Sequence, residues 1–260
     1  LFSKQDLIAS AQTGTGKTAA FALPLLQSID FKNNNVQMLV LCPTRELCIQ
    51  ISKDLINYSK YLQKINIVPI YGGARIENQL RGLKKKPQIV IGTPGRTTDL
   101  IRRKKLILNK INYLILDEAD EMMSMGFKDD LESIIDSSNQ TKQTLLFSAT
   151  MTKKVESVTK KYMKQSLNIS VGVKNKGADN IEHILYVVHA KHRYEVVKRI
   201  ADINPDIYGI VFCRTRAETK DVANKLIQDN YNADTIHGDL SQAQRDDVML
   251  RFRKKQIQLL

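Results

Sequence analysis

The sequence is poor in the residue types that would staple or metallate a fold. Its three cysteines, Cys42, Cys48 and Cys213, are odd in number and lack the short paired spacing of a zinc site or a redox pair. A disulfide scaffold is excluded, and a reducing compartment is expected. The four histidines are equally unsuited to a metal, because the close pair His189 and His192 straddles a predicted strand end and helix start. No uninterrupted apolar run approaches the roughly 18 residues of a membrane span, and no signal peptide opens the chain. The expectation is a soluble, cytoplasmic protein without membrane contact. The first residue is Leu1, so the natural start is expected upstream.

Acidic residues are also short. Asp and Glu number 27 against 40 Lys and Arg, a formal net charge of +13, which points to a polyanionic partner such as nucleic acid, nucleotide or an acidic membrane surface. Most of the excess falls in residues 1–172, with clusters at 84–86 and 102–105, each of which taken singly reads as a solvated face. What remains is ordinary. With 42% hydrophobic and 26% charged residues over 260 positions, wholesale disorder is excluded and one large domain or two modest ones are allowed.

Short apolar runs at 6–10, 36–42, 67–71, 88–92, 111–117 and 144–148 are rich in Val, Ile and Leu without alternation, the pattern of parallel strands buried on both faces. Amphipathic stretches separate them. Over residues 45–62, Leu47, Ile51, Leu55, Tyr58 and Leu62 recur every three or four positions and fall on one helical face. Strand and helix in alternation predict a doubly wound α/β sheet, whose ligands collect beyond the carboxyl ends of its strands. After a predicted helix at 151–163 the pattern breaks, and residues 173–180, in a stretch rich in Gly, Lys and Asn, read as a linker. A second series follows, with strands at 184–188, 209–213 and 233–236, helices at 193–202, 217–229 and 242–252, and the opening of a further strand at 256–260. The expected organisation is an N-terminal domain over 1–172, the linker, and an incomplete C-terminal domain over 181–260.

Ala11-Gln12-Thr13-Gly14-Thr15-Gly16-Lys17-Thr18 follows a predicted strand and opens a predicted helix, the context that a phosphate-binding loop demands. Gly14 and Gly16 permit the backbone angles that aim successive N–H groups at phosphate oxygens, and the helix N-terminus adds its dipole. Lys17 can reach the β and γ phosphates, and the Thr18 hydroxyl can ligate Mg²⁺. Ala11 stands where the usual pattern has glycine. The second element, Asp117-Glu118-Ala119-Asp120, follows the apolar run 113–116 and so lies in the same crevice if the two strands are neighbours. Asp117 is placed to hold Mg²⁺ and Glu118 to orient and deprotonate an attacking water. Ser148 lacks a G-x-S-x-G elbow, which argues against a covalent hydrolase. Its hydroxyl and that of Thr150 are expected to bond to Asp120. Met122, Met123 and Met125 read as core filling.

Together the phosphate loop and residues 117–120 resemble the DEAD-box ATP-dependent RNA helicases, and further motifs stand in that family's order. These are Pro43-Thr44-Arg45-Glu46-Leu47, Gly72-Gly73, Thr93-Pro94-Gly95-Arg96 and Ser148-Ala149-Thr150, then Val211-Phe212-Cys213-Arg214-Thr215 and the pair Gln242 and Arg245 after His237-Gly238-Asp239. The resemblance implies two RecA-like domains, ATP with Mg²⁺ as cofactor, and catalytic roles for Lys17, Asp117, Glu118, Asp120, Ser148 and Thr150. It implies RNA contacts by Pro43, Thr44, Arg45, Gly73, Thr93, Pro94, Gly95 and Arg96, and by Arg214, Gln242 and Arg245 in the second domain. Hydroxyls, flexible backbone and guanidinium forks suit a sugar-phosphate backbone and leave base edges unread, so sequence-nonspecific binding of single strands or short duplexes is expected. Arg96 has a rival partner in the nearby carboxylate of Asp99. ATP and RNA together would close the two domains, bending one strand until a short duplex or ribonucleoprotein contact gives way.

No residue matches the family's upstream glutamine motif, nor its later arginine-rich motif. Slow ATP turnover by these 260 residues is therefore expected. A DNA translocase and a non-enzymatic RNA clamp are the rival readings. Asp rather than His at position 120 argues against the first, and intact Lys17, Asp117 and Glu118 against the second.

Overall fold

Short β-branched runs with few polar atoms can bury both faces only between two helical layers, and that is how the first unit is built. The computed structural model describes residues 4–12, 14–62, 65–163, 165–171 and 181–260, which divide into the units Leu1–Ile181 and Glu182–Leu260. In the first unit the strands are β1 (Leu7–Ser10), β2 (Met38–Leu41), β3 (Ile67–Ile70), β4 (Ile89–Gly92), β5 (Tyr113–Leu116), β6 (Gln143–Ser148) and β7 (Leu167–Ser170). They form one parallel sheet in the order β3-β4-β2-β5-β6-β1-β7. The helices α1 (Lys17–Gln27), α2 (Arg45–Tyr58), α3 (Ile76–Lys84), α4 (Pro94–Arg102), α5 (Ala119–Ser124), α6 (Lys128–Asp136) and α7 (Lys153–Tyr162) follow their strands.

Alternate strand residues serve opposite cores. Met38 and Val40 pack with Phe21, Leu25 and Leu26 of α1 and Ile51 and Leu55 of α2. Leu39 and Leu41 pack with Leu100, Met122, Leu131, Ile134 and Val155 on the other side. The α2 entry is fixed by Thr44, whose hydroxyl accepts from the Leu47 N–H at 3.3 Å, a cap that contributes about 1 kcal/mol. The helix closes at Tyr58 rather than 62, because Ser59 turns back to donate to the Ile56 carbonyl; Tyr58 and Leu62 are consequently exposed. Met122 and Met123 fill the core, whereas Met125 lies 52% exposed beyond the end of α5. Strand β7 is absent from the sequence reading although Leu167, Ile169 and Val171 alternate; it pairs with β1 at the sheet margin with all four residues exposed. The opposite edge, β3, is blunted: Pro69 offers no N–H, and the Gln79 amide accepts from the Tyr71 N–H and donates to its carbonyl.

The linker at 173–180 lies outside the described residues. In the second unit a short 3₁₀ turn, Ala190–His192, leads into α8 (Arg193–Asp202), followed by α9 (Arg216–Gln228) and α10 (Gln242–Arg253). Its predicted strands are mostly not formed. Residues 184–188 are exposed and carry no ladder among the described residues, as expected for an apolar run without a neighbour to pair with. Residues 209–213 and 233–236 are reduced to single parallel bridges, Gly209 to Leu259 and Ala233 to Leu259, so the terminal segment lies between them. Leu259 packs there with Ala201 and Leu226.

Candidate functional site

All strands of the first unit point the same way, so the loops leaving their carboxyl ends converge on one edge of the sheet. The phosphate-binding loop leaves β1. Gly14 and Gly16 have φ of 79° and 83°, and an added Cβ at either would meet no atom within 4 Å, so conformation rather than crowding requires glycine here. Gly16 caps α1 with no side chain bonded to the first-turn N–H groups, and no acidic residue stands in that turn. This leaves an amide cradle with an uncancelled positive dipole. The Thr15 hydroxyl donates to the Gln12 carbonyl at 2.8 Å, and the Lys17 ammonium donates to the Ala11 carbonyl at 2.9 Å, folding over the loop. Thr18 is half-buried on the first turn of α1. Thr13 lies outside the described residues.

The acids leave β5. Asp117 is 3% exposed, and its carboxylate accepts one backbone bond, from the Glu118 N–H at 3.1 Å. Burial pushes its pKa up to about 6 against the opposing pull of Lys17, with Glu118 and Asp120 adding to the rise. Glu118 takes a left-handed backbone, φ 52° and ψ 53°, which costs a non-glycine residue on the order of 1 kcal/mol. Its carboxyl is also raised, by burial first and by Asp120, with Lys17 again opposing. Lys17 therefore serves both carboxylates.

Asp120 is held differently. Burial alone would raise it, but Thr150 and Ser148 hydrogen bonds outweigh that and hold it below the ordinary carboxylate range. Its carboxylate accepts from the Thr150 N–H at 2.9 Å and the Thr150 hydroxyl at 2.7 Å. The Ser148 hydroxyl also bonds the Asp120 backbone. It accepts from the Asp120 N–H at 3.3 Å and donates to the Thr150 carbonyl at 2.8 Å, while the Ser148 carbonyl accepts from the Ala11 N–H at 3.1 Å. A cleft of about 330 Å³ opens over this edge, lined by Lys17, Glu118, Asp120 and Met125 together with Pro43 and Thr44.

Beyond Thr44 the same edge carries two arginines, Arg45 and Arg96. The Arg45 guanidinium stacks over the Tyr71 ring at 5.1 Å. Gly73, after β3, turns with φ 75°. Thr93 caps α4, Pro94 occupies its first turn and Gly95 is exposed on it. Arg96 donates to the Gln79 side-chain oxygen at 3.1 Å, while Asp99 takes Arg103 instead, at 2.7 Å. Gln79 thus ties Arg96 to the Tyr71 backbone, and through the Tyr71 ring to Arg45. The sequence reading missed Gln79, whose burial against the edge strand only the structure reveals. In the second unit, Arg214 faces Glu218 at 3.8 Å, Gln242 donates to Asp246 at 2.9 Å, and Arg245 donates to the Gly238 carbonyl at 2.9 Å. Among the described residues no group of three or more His, Cys, Asp or Glu is gathered as for a metal.

The family model for DEAD/DEAH box helicases matches residues 1–158. The chain belongs to that family. A second model, the helicase conserved C-terminal domain, matches residues 192–260. Among curated DEAD-box relatives, the ATP-dependent RNA helicase CshA of Listeria monocytogenes is 44% identical over 256 residues, which are 98% of this chain and 49% of that protein. CshA of Bacillus subtilis is 41% identical over 258 residues, 99% of this chain and 52% of that protein. The chain thus spans about half the length of these relatives. A DEAD box protein of Methanococcus jannaschii matches in structure with a TM-score of 0.63 and 41% identity, over 100% of this chain and 69% of that one. A Dbp5 variant of S. cerevisiae, solved with RNA and ADP BeF3, matches with a TM-score of 0.86 and 28% identity, over 98% of this chain and 65% of that one. The doubly wound sheet of the first DEAD-box unit is RecA-like.

Proposed function

We propose that the chain is the ATP- and RNA-binding part of an ATP-dependent RNA helicase, which couples ATP hydrolysis to RNA binding and to local separation of short duplexes or remodelling of ribonucleoproteins. One observation carries this reading: Lys17, Glu118 and Asp120 line the same cleft as Pro43 and Thr44, so nucleotide chemistry and a polynucleotide backbone share one wall. The amide cradle at 14–18 would hold the β and γ phosphates, with Lys17 leaving the Ala11 carbonyl to meet them. Glu118, held in the cleft by its left-handed backbone, orients the attacking water and takes its proton. Its raised pKa brings it nearer to that of a useful base.

A divalent cation fits the residues present. Asp117 is a buried carboxylate with a single backbone donor and a raised pKa, an anion short of compensation, and Thr18 supplies a hydroxyl on the first turn of α1. A site of one carboxylate and one hydroxyl, with no cage of acids, is what Mg²⁺ takes when phosphates and waters complete its shell. When held by Asp117 and Thr18, it would supply charge to neutralise that developing on the phosphoryl group. Thr44, Arg45, Thr93 and Arg96 grip the RNA backbone without reading bases, so selection rests on 2′-hydroxyls.

The test pairs fluorescent-nucleotide binding with phosphate release, with and without single-stranded RNA, for the wild type, Lys17→Ala and Glu118→Gln. Nucleotide binding lost only in Lys17→Ala, and release lost in both, supports the reading. Release unaltered in Glu118→Gln, or equal stimulation by single-stranded DNA, overturns it.

A further inference from the structure

The opposite edge of the sheet in the first unit carries charge that the cleft does not use. Every loop leading into a parallel strand lies at this amino edge, and there the backbone of Asn66, Gln88, Gln37, Asn112 and Gln143 forms one continuous row. The Gln88 N–H donates to Asn66 at 3.1 Å, Gln37 to Gln88, Asn112 to Gln37 and Gln143 to Asn112, the last three at 2.8 Å. The Asn66 side chain also donates to the Lys85 carbonyl at 3.1 Å, fixing that loop to the row.

Cations are rooted along this row. Lys84, Lys85 and Lys86 precede Gln88; Arg102, Lys104, Lys105 and Lys110 precede Asn112; all are exposed. Gln88 and Asn112 stand two strands apart, so the two loops begin about 10 Å from each other. Lys32, before Gln37, and Lys60, before Asn66, extend the same strip. Carboxylates beside these loops are engaged, Asp99 with Arg103 at 2.7 Å and Asp30 with the Lys32 backbone N–H at 2.9 Å, while Asp6 and Asp136 act on Lys142 at the Gln143 end of the row. Among the described residues none pairs with the side chains of Lys84, Lys85, Lys86, Arg102, Lys104 or Lys105.

Helix dipoles explain part of this, since cations at the carboxyl ends of α3 and α4 are favoured. They do not explain Lys86 and Lys104, which take left-handed backbone with φ of 50° and 54° where glycine would be less strained, nor Lys110, which ends no helix. On the neighbouring loop Tyr61 is 90% exposed with the Lys60 ammonium 5.3 Å from its ring centroid, a flat ring and a cation presented together.

We infer that this amino edge is a second RNA-binding surface, which takes the sugar-phosphate backbone of RNA lying outside the cleft. The inference rests on the RNA-binding reading of the first unit and adds a contact on its far side. Exposed lysines and an arginine with one exposed aromatic ring suit a phosphate backbone better than a protein partner, which would require a larger apolar anchor.

The test uses the full chain and two RNAs: an eight-nucleotide single strand, able to fill the cleft alone, and a hairpin carrying that strand as a tail. Dissociation constants are measured across a range of KCl concentrations. The expected result is a steeper salt dependence for the hairpin, and its loss in a variant combining Lys84→Gln, Lys85→Gln, Lys86→Gln, Arg102→Gln, Lys104→Gln and Lys105→Gln. That variant should lower the log–log slope for the hairpin by roughly four to five if all six cations meet phosphates, at about 0.7–0.9 per lost phosphate contact, with eight-mer and nucleotide binding unchanged. Equal slopes for the two RNAs, or an equal loss for both, overturn the inference. So does polyglutamate binding as tight as the hairpin's and lost in the same variant, which assigns the edge to an acidic protein. Arg96→Ala separates the two readings: an eight-mer bound equally with and without Arg96 refutes the cleft assignment, while the hairpin slope in the six-site variant still decides the edge.

Discussion

Replacing Asp117 by Asn should make the protein more stable while removing the carboxylate proposed for the cation. The folded first unit buries this carboxyl and raises its pKa from the ordinary 3.8 to about 6, so the fold favours the protonated form. The sign follows from linkage: the stability that Asp117 offers is fully present below 3.8 and is lost as pH rises through 6. The interval corresponds to about 3 kcal/mol at pH 8, and to about half of that at pH 5, where the folded group is already mostly protonated. Asparagine has nearly the same shape and no charge to desolvate. Asp117→Asn should therefore raise the melting temperature of the first unit by roughly 6–12 °C at pH 8, from about 2–4 °C per kcal/mol for a unit of this size, and by about half as much at pH 5. Thermal unfolding followed by circular dichroism, without Mg²⁺ or nucleotide, reads this directly. In the same variant, nucleotide affinity should cease to depend on Mg²⁺. Destabilisation at pH 8, or a gain equal at both pH values, would refute the premise that Asp117 is a desolvated anion awaiting a cation.

Thr150→Val removes the 2.7 Å hydroxyl bond to Asp120 and should cost about 1 kcal/mol at pH 7, solvent screening holding it below the value of a buried charged bond. Because Asp120 is held low, that loss should shrink as pH falls toward 3; urea titrations at both pH values check it. Gly92→Ala places a Cβ 2.4 Å from the Thr97 hydroxyl, which is tied to the Thr93 carbonyl at 2.9 Å, and 2.9 Å from Ile70. A cost of about 3 kcal/mol or more, read as a lowered urea midpoint, is expected. Gln79→Leu strips both partners from the Tyr71 backbone and frees Arg96, so single-stranded RNA affinity should fall several-fold while nucleotide affinity holds, as measured by fluorescence titration of each ligand.

The sheet of the first unit was legible because each strand is a short run of branched apolar residues, and burial on both faces leaves few alternative packings for 38–41 or 113–116. The same rule misplaced 184–188, which has the composition of a strand but pairs with nothing described. It passed over β7, whose alternating pattern was diluted by Asn168 and Ser170. At the site, residue types announced the phosphate loop and the acids because few other chemistries need a two-glycine turn before Lys-Thr. Gln79 gave no such notice. A glutamine on an amphipathic helix reads as surface until the edge strand it serves is known, and only the order β3-β4 at the sheet margin shows that Tyr71 needs a substitute partner. The left-handed Glu118 was equally silent, since nothing in a residue's type betrays a strained backbone.

If nucleotide and RNA bind as proposed, the strand order also says where a signal between them must pass. β6 lies between β5, which carries the acids, and β1, which carries the phosphate loop. Its last residue, Ser148, is fully buried, with its carbonyl on Ala11 and its hydroxyl on the Asp120 N–H. A side chain with no exposure cannot touch RNA, so its influence on RNA has to run through the Thr150 carbonyl that it holds at 2.8 Å and the exposed Thr150 beyond. A shift of the phosphate loop on taking nucleotide would pull Ser148, and Asp120 with Thr150 would have to follow or lose two charge-assisted bonds. Three hydrogen-bonded residues, Ser148, Asp120 and Thr150, thus make the glycine-rich loop after β1 and the loop after β6 a single mechanical unit, through which the proposed nucleotide and RNA contacts would be coupled.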